Sequence, residues 1–289
     1  MTIMPSDLDD FLFTYGGTVD AVGVNALLGL AMYVVLAVGQ LSVGQAAFMG
    51  LGAYGAGLVA VQTGLPMWLL LPVAAAVPVL VALAIGVPTL RLSGVHLAIA
   101  TIGLGEVLRA TYNNLDIAGG AMGLSGIAQP DPQVAGTIVI YAFLVLLTVA
   151  LWRLAGTGVG RAMAAMRGDP MAARAVGIPI DRFGLVALCV SAAIAGVAGA
   201  LEAWSSGTVS PNSYGFEPAV TILAYALLGG TATPLGPVLG AVVLTLLPEV
   251  LRPLSTATLD LRLVVDGLVI VAVVLFRPAG LLTLRLRRG

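Results

Sequence analysis

Few side chains in this sequence are equipped for chemistry. Ser125 lies in Gly-Leu-Ser-Gly at residues 123–126 and His96 is the one histidine, so a serine nucleophile with a histidine base is the first arrangement to weigh. The serine falls in a polar loop, while the histidine falls at the opposite end of an apolar segment. A separation approaching the ~30 Å of a membrane core excludes proton transfer between them. One histidine and one cysteine, Cys189, build neither a zinc site nor an internal disulfide. Two acids lie within apolar segments, each with a local counter-charge: Glu106 with Arg109 three residues on, and Asp266 with Arg262 four residues before. All thirteen basic residues are arginine. Without lysine there is no Walker A phosphate loop, so any ATP driving this chain is bound by another polypeptide. Outside one loop and the tail there is no basic patch for nucleic acid.

The remaining polar feature is the stretch 156–182, GTGVGRAMAAMRGDPMAARAVGIPIDR. Asp169 stands as an N-cap, Pro170 at the first helical position, an Ala-rich run over 171–176, Gly177 as a left-handed terminator and Pro179 as a stop. A helix of two turns is too short to hold itself together in water. It therefore needs a surface to lie against, and Arg161, Arg167, Arg174 and Arg182 surround it. This reads as a docking element on the cytoplasmic face.

The elements that position these residues are set by composition. The chain has 289 residues, 59% hydrophobic and 9% charged, against about 25% charged in soluble domains. Its apolar runs are continuous rather than alternating, which selects helices over a barrel. The expected fold is an all-α membrane protein, a polytopic bundle of about nine transmembrane helices with broken or re-entrant segments. The spans fall at Ala21–Val38, Ala46–Val61, Met67–Val87, Val95–Tyr112, Gly136–Leu154, Phe183–Trp204, Ala219–Leu228, Gly236–Val250 and Arg262–Phe276. Residues 1–20 form an acidic leader, 21–276 the membrane domain, and 277–289 a basic tail. With the tail inside, ten arginines lie on the cytoplasmic side and three outside, so the N-terminus is outside and the C-terminus cytoplasmic.

Two pairs of spans resemble one another. In each, an apolar helix meets a glycine-broken turn and a helix of small residues: GQLSVGQAAFMGLGAYGAG after the first span, and GGTATPLGPVLGAVV after the seventh. Broken helices at matched positions are used by transporters to line a path, and small residues also serve plain helix packing.

Taken together, GQLSVGQAAFMGLGAYGAG (39–57), RLSGVHLAIATIGLGEVLR (91–109), GGAMGLSGI (119–127), GRAMAAMRGDPMAARAVGIPIDRFGL (160–185), LLGGTATPLGPVLGAVVLTLLPEVLR and VLFRPAGLL resemble the branched-chain amino acid ABC importer permeases of the LivM type. The resemblance runs from about residue 24 to 282. His96, Ala121 and Met122 depart from the family's usual tyrosine and polar residues, and the acidic leader replaces a usual apolar segment. The resemblance implies a permease subunit in a prokaryotic cytoplasmic membrane, working with a second homologous permease, two cytoplasmic ATPases that bind ATP and magnesium, and an external substrate-binding protein. It implies no cofactor in this chain. Arg167, Asp169, Pro170, Ala172, Ala173, Arg174 and Gly177 are then expected in an ATPase groove. Gly39, Gln40, Ser42, Gly44, Gln45, Glu106, Gly229 and Gly230 are expected along the translocation path. Gly123, Leu124 and Ser125 are expected to meet the binding protein. Urea and short-amide importers share the pattern, and an ion-coupled carrier is the rival reading.

Overall fold

The computed structural model describes residues 6–89, 92 and 94–251. Its helices are α1 (Ser6–Ala37), α2 (Gln45–Thr63), α3 (Met67–Thr89), α4 (Val95–Asn114), α5 (Gln133–Ala155), α6 (Gly158–Gly168), α7 (Pro170–Ala175), α8 (Ile180–Ser206), α9 (Phe216–Gly229) and α10 (Leu235–Leu251). Two short strands, β1 (Leu124–Ser125) and β2 (Thr208–Val209), pair antiparallel. Among the described residues, five helical segments are long and apolar enough to cross a membrane: 16–37, 45–63, 67–89, 134–155 and 180–206. The expected fourth span forms as α4, but Glu106 and Arg109 leave it more polar than these five. The expected seventh and eighth form the shorter α9 and α10. Helix α1 starts at Ser6, so most of the expected leader is helical. Arg91, the ninth span with Asp266, and the basic tail lie outside the described residues.

Helix α8 is the centre of the bundle and packs on α1, α2 and α3. Small residues make this possible. A Cβ on Gly52 would run into the backbone of Gly196, one on Gly196 into the carbonyl of Ala74, and one on Gly199 into the carbonyl of Met49. Lipid tails give no hydrophobic reward for helix association, so backbones must approach closely for dispersion to hold them. Helix α3 follows the same rule with a stripe at every fourth residue. Ala74, Pro78, Ala82 and Gly86 are buried, whereas Trp68, Leu80 and Val87 on the other faces are exposed. Helices α9 and α10 meet through Gly229 and Gly236, whose added Cβ atoms would strike each other's neighbourhood, and through Gly240 against the Tyr225 carbonyl.

The bundle has two distinct ends. At one, the buried Asp20 carboxylate accepts hydrogen bonds from Thr137 Oγ1 and Ser205 Oγ, both at 2.6 Å, joining α1 to the start of α5 and the end of α8. Tyr141 donates to the Val19 carbonyl beside it at 3.0 Å. The β1–β2 ribbon lies at this end too, because β2 follows α8 directly. At the other end lie α6, α7, the last turn of α1 and the turn between α9 and α10. Arg153, Arg161, Arg167, Arg174 and Arg182 belong to this second end by their positions in the element order, and Arg109 to the first.

Gly196→Val should cost the bundle its central contact. In detergent, its thermal unfolding midpoint should fall by several degrees or the protein should fail to accumulate. Gly103→Ala, where an added methyl meets nothing within 4 Å, should leave the midpoint unchanged or slightly raised.

Candidate functional site

The first helix breaks at Gly39, whose φ of +79° is a left-handed conformation that favours glycine. Its N–H closes on Leu36 O and that of Gln40 on Val35 O, ending α1. The chain then runs without helical structure over 40–44 before α2 begins at Gln45. A backbone opened inside an apolar slab must find partners within the protein. Thr101 on α4 supplies one, accepting from the Val43 N–H at 3.0 Å. Gln45 reaches Ser191 near the middle of α8, its Nε2 donating to Oγ at 3.2 Å. Ser42 is wholly buried, and its hydroxyl and the Gln40 Oε1 have no hydrogen-bond partner among the described residues. The structure thus brings Gly39, Gln40, Ser42, Gly44 and Gln45 together as one interrupted segment. Ser42 and Gln45 are consumed in the helix interface rather than displayed.

The second break is at Gly230, φ +88°, between α9 and α10. It lies under the end of α6. Arg167 Nη1 donates to the Thr231 carbonyl at 2.7 Å and approaches its hydroxyl at 3.3 Å. The first break touches the same place: a Cβ on Gly39 would sit 3.2 Å from the Arg167 Cα. Both broken turns therefore meet the backbone or side chain of one arginine. A cavity of about 340 Å³ lies between them, lined by Tyr33, Ala37, Leu151, Met163, Arg167 and Thr231 among others. Gly229, expected on a path, lets α9 and α10 touch. Arg167, expected at a partner's surface, is exposed and also reaches Thr231 within this chain.

Residues 156–182 fold as two helices, not one. Helix α6 escapes a sequence reading because Gly158 and Gly160 disguise it; its one signal is Thr157, which caps it by accepting from the Gly160 N–H. Met166 turns inward from α6 and is buried. Helix α7 carries its expected punctuation. Asp169 Oδ1 accepts from the N–H groups of Met171 and Ala172 at 2.9 and 3.1 Å. Gly177, φ +85°, donates to Arg174 O, and Ile178 donates to Ala173 O. These two bonds are a Schellman closure. Ala173 was expected to offer a small side chain to a partner, but it is 3% exposed and seats α7 on its own chain. The outward face belongs to Ala172, Arg174, Met171 at 73% and Val176 at 77% exposed. Arg174 meets Asp181 at 3.3 Å, with both side chains largely in solvent, a pair worth little to stability.

At the far end, Glu106 does not stand free in a path. Its Oε2 takes the Arg109 Nε at 2.8 Å, and its Oε1 accepts the Phe216 N–H at 2.9 Å, capping α9 from α4. A negative charge at a helix N-terminus is favourable as well as satisfying an open donor. Gly123, φ +78°, and Ser125 lie in the loop closed by the β1–β2 ribbon. Leu124 turns inward and is buried, so its side chain is no contact for a partner. Ser125 is exposed there, as is Met122, at 98%, a residue whose outward direction nothing in the sequence announces. Ser125 lies beyond the C-terminal end of α4, whereas His96 stands in its first turn. Among the described residues no group of three His, Cys, Asp or Glu side chains is placed to hold a metal.

The family described as branched-chain amino acid transport system / permease component matches residues 18–274. The high-affinity branched-chain amino acid transport system permease protein LivM of Salmonella typhimurium is 33% identical over 291 residues, spanning 90% of this chain and 68% of that protein. LivM of Escherichia coli is 33% identical over 301 residues, spanning 92% and 70%. The autoinducer 2 import system permease protein LsrC of Photorhabdus laumondii is 32% identical over 111 residues, 36% of this chain and 33% of that one. No solved structure matches significantly.

Asp169→Ala removes the cap of α7 and should cost about 1 kcal/mol locally. Hydrogen exchange at the Met171 and Ala172 amides should speed up about fivefold, with Asp169→Asn close to the unaltered rate. Unchanged exchange in the alanine variant would show that the cap does not hold the helix.

Proposed function

The chain belongs to the branched-chain amino acid transport permease family, whose members are transport subunits rather than enzymes, and on that premise we propose that it is the membrane subunit of an ATP-driven importer for branched-chain and other hydrophobic amino acids. It is a multi-pass membrane protein. In this reading it lies in a prokaryotic cytoplasmic membrane with α6 and α7 on the cytoplasmic side. A second permease stands beside it, two ATPases bind ATP and magnesium below, and a binding protein delivers substrate from outside at Met122 and Ser125. The same machinery for urea or short amides is the alternative.

The mechanical part of the reading rests on Arg167. Helix α7 offers Met171, Ala172, Arg174 and Val176 outward, a mostly apolar face with one charge. That face suits a groove on an ATPase. Asp169, Pro170 and Gly177 fix the ends of that helix and are themselves exposed beside the groove. When nucleotide draws the ATPases together, α7 moves with its groove and α6 moves with α7. Arg167 at the end of α6 then pulls on Thr231, and its backbone presses on Gly39. Both helix breaks are displaced at once, and a broken segment can swing where an unbroken helix would resist. The proposal needs differential contacts in two states, and the shared arginine supplies one lever for both turns.

Three measurements test it. Leucine uptake should collapse on ATP depletion and survive an uncoupler; the reverse would make the chain an ion-coupled carrier. Met171→Asp with Val176→Asp should cut ATPase co-purification at least about tenfold, since each charge buries unpaired in an apolar groove, while the permease still inserts. Arg167→Ala should keep the ATPases bound yet separate hydrolysis from uptake, with Arg167→Lys giving partial recovery. Tight coupling in Arg167→Ala would remove the lever.

A further inference from the structure

A second cavity, of about 310 Å³, lies between α1, α2, α8 and α9. It belongs to the end of the bundle away from α7, since Glu202 is one turn from the Ser205 that binds Asp20. Its size falls at the lower end of small-molecule sites. Its lining divides cleanly. Leu28, Met49 and Ile222 give an apolar wall, while Asn25, Glu202 and Glu217 give polar groups beside the hydroxyl-bearing Ser213, Thr221 and Tyr225.

Each polar group offers an acceptor. Glu202 already receives the Tyr214 hydroxyl on Oε2 at 3.1 Å, and Tyr214 is itself fixed in a buried cluster, edge-on to Tyr54 at 6.0 Å. That leaves Glu202 Oε1. Asn25 spends its amide nitrogen on Thr245 Oγ1 at 3.0 Å, which leaves its carbonyl oxygen. Glu217 stands in the first turn of α9, exposed at the mouth of the cavity. Among the described residues no arginine lines the cavity. Two carboxylates and an amide oxygen around an apolar wall ask for a ligand that brings positive charge and several donors of its own.

We propose that this cavity receives the zwitterionic amino acid, its ammonium held by Glu202, Glu217 and Asn25 and its branched side chain against Leu28, Met49 and Ile222. An ammonium carries three donors and no acceptor, matching three acceptors. The substrate carboxylate points out of the cavity, away from the two acids. Urea and neutral amides bring donors but no charge to offset them, so the site separates the two substrate classes that share this permease pattern. This rests on the importer reading given above and adds the site and the group recognised.

The test uses the complete transporter in liposomes, with both permeases, the ATPases and the binding protein. Leucine uptake by the unaltered complex comes first; its absence would overturn the importer reading and leaves the cavity to the labelling arm. Glu217 carries the substitution test, because Glu202 also holds Tyr214. Glu217→Gln should lower leucine uptake about tenfold, the loss of one charge-assisted contact, with Glu217→Asp partly restored. Labelling uses Thr221→Cys, an exposed position of the lining, in a chain whose single cysteine is removed by Cys189→Ser. Leucine should slow its alkylation, whereas 4-methylpentanoate, with the same side chain and no ammonium, should not. Full uptake in Glu217→Gln, or equal protection by the two compounds, would overturn the proposal.

Discussion

A membrane helix that stops before it has crossed leaves backbone donors and acceptors with no water to meet them. This chain interrupts its helices at residues 38–44 and again at 230–234, and much of its polar inventory is spent on the consequences. Thr101 accepts the Val43 N–H, Gln45 meets Ser191, and Glu106 reaches from α4 to the open end of α9. Few of these polar groups are free to do anything else. The apolar composition that rules out a soluble domain also explains why so many of the polar side chains that remain are found at a break, a cap or an end.

The second constraint is closeness. Lipid does not drive helices together, so contact has to be good at short range. Gly52, Gly196 and Gly199 bring α2, α3 and α8 within backbone distance, and Gly229, Gly236 and Gly240 do so for α9 and α10. The breaks are therefore set in a tightly packed frame. A rigid frame with two soft points has few ways to move, and both soft points meet α6 at Arg167. That is why force applied at a short helix outside the bundle has somewhere definite to go.

Much of this was legible in the sequence where the cause is local. Asp169, Pro170 and Gly177 mark the ends of α7 because capping depends on neighbours in the chain, and the helix carries the Asp169 cap and the Gly177 turn they indicate. The pairing of Glu106 with Arg109 was visible at a spacing of three. Its bond to the Phe216 N–H was not, since 110 residues separate the two. The same limit explains Ala173. A small residue on a docking helix looks like an invitation to a partner, but which face a six-residue helix turns outward is decided by what its own chain packs beneath it. Leu124 looks like a loop contact for the same reason, whereas Arg167 is exposed as a surface charge should be and its bond to Thr231, 64 residues on, is what the chain order hides. The paired glycine-broken turns were seen as a repeat, while their meeting at one arginine is a tertiary fact.

The central claim, that the outward face of α7 seats on an ATPase while Ala173 faces home, is tested most directly by cross-linking in the assembled complex. A Cys189→Ser chain would carry Met171→Cys in one sample and Ala173→Cys in the other, with a short bifunctional maleimide added. The account expects a permease–ATPase adduct from position 171 that shifts in yield when nucleotide is added, and almost none from position 173. Equal adducts from both positions, or none from 171 in a complex that transports leucine, would contradict it.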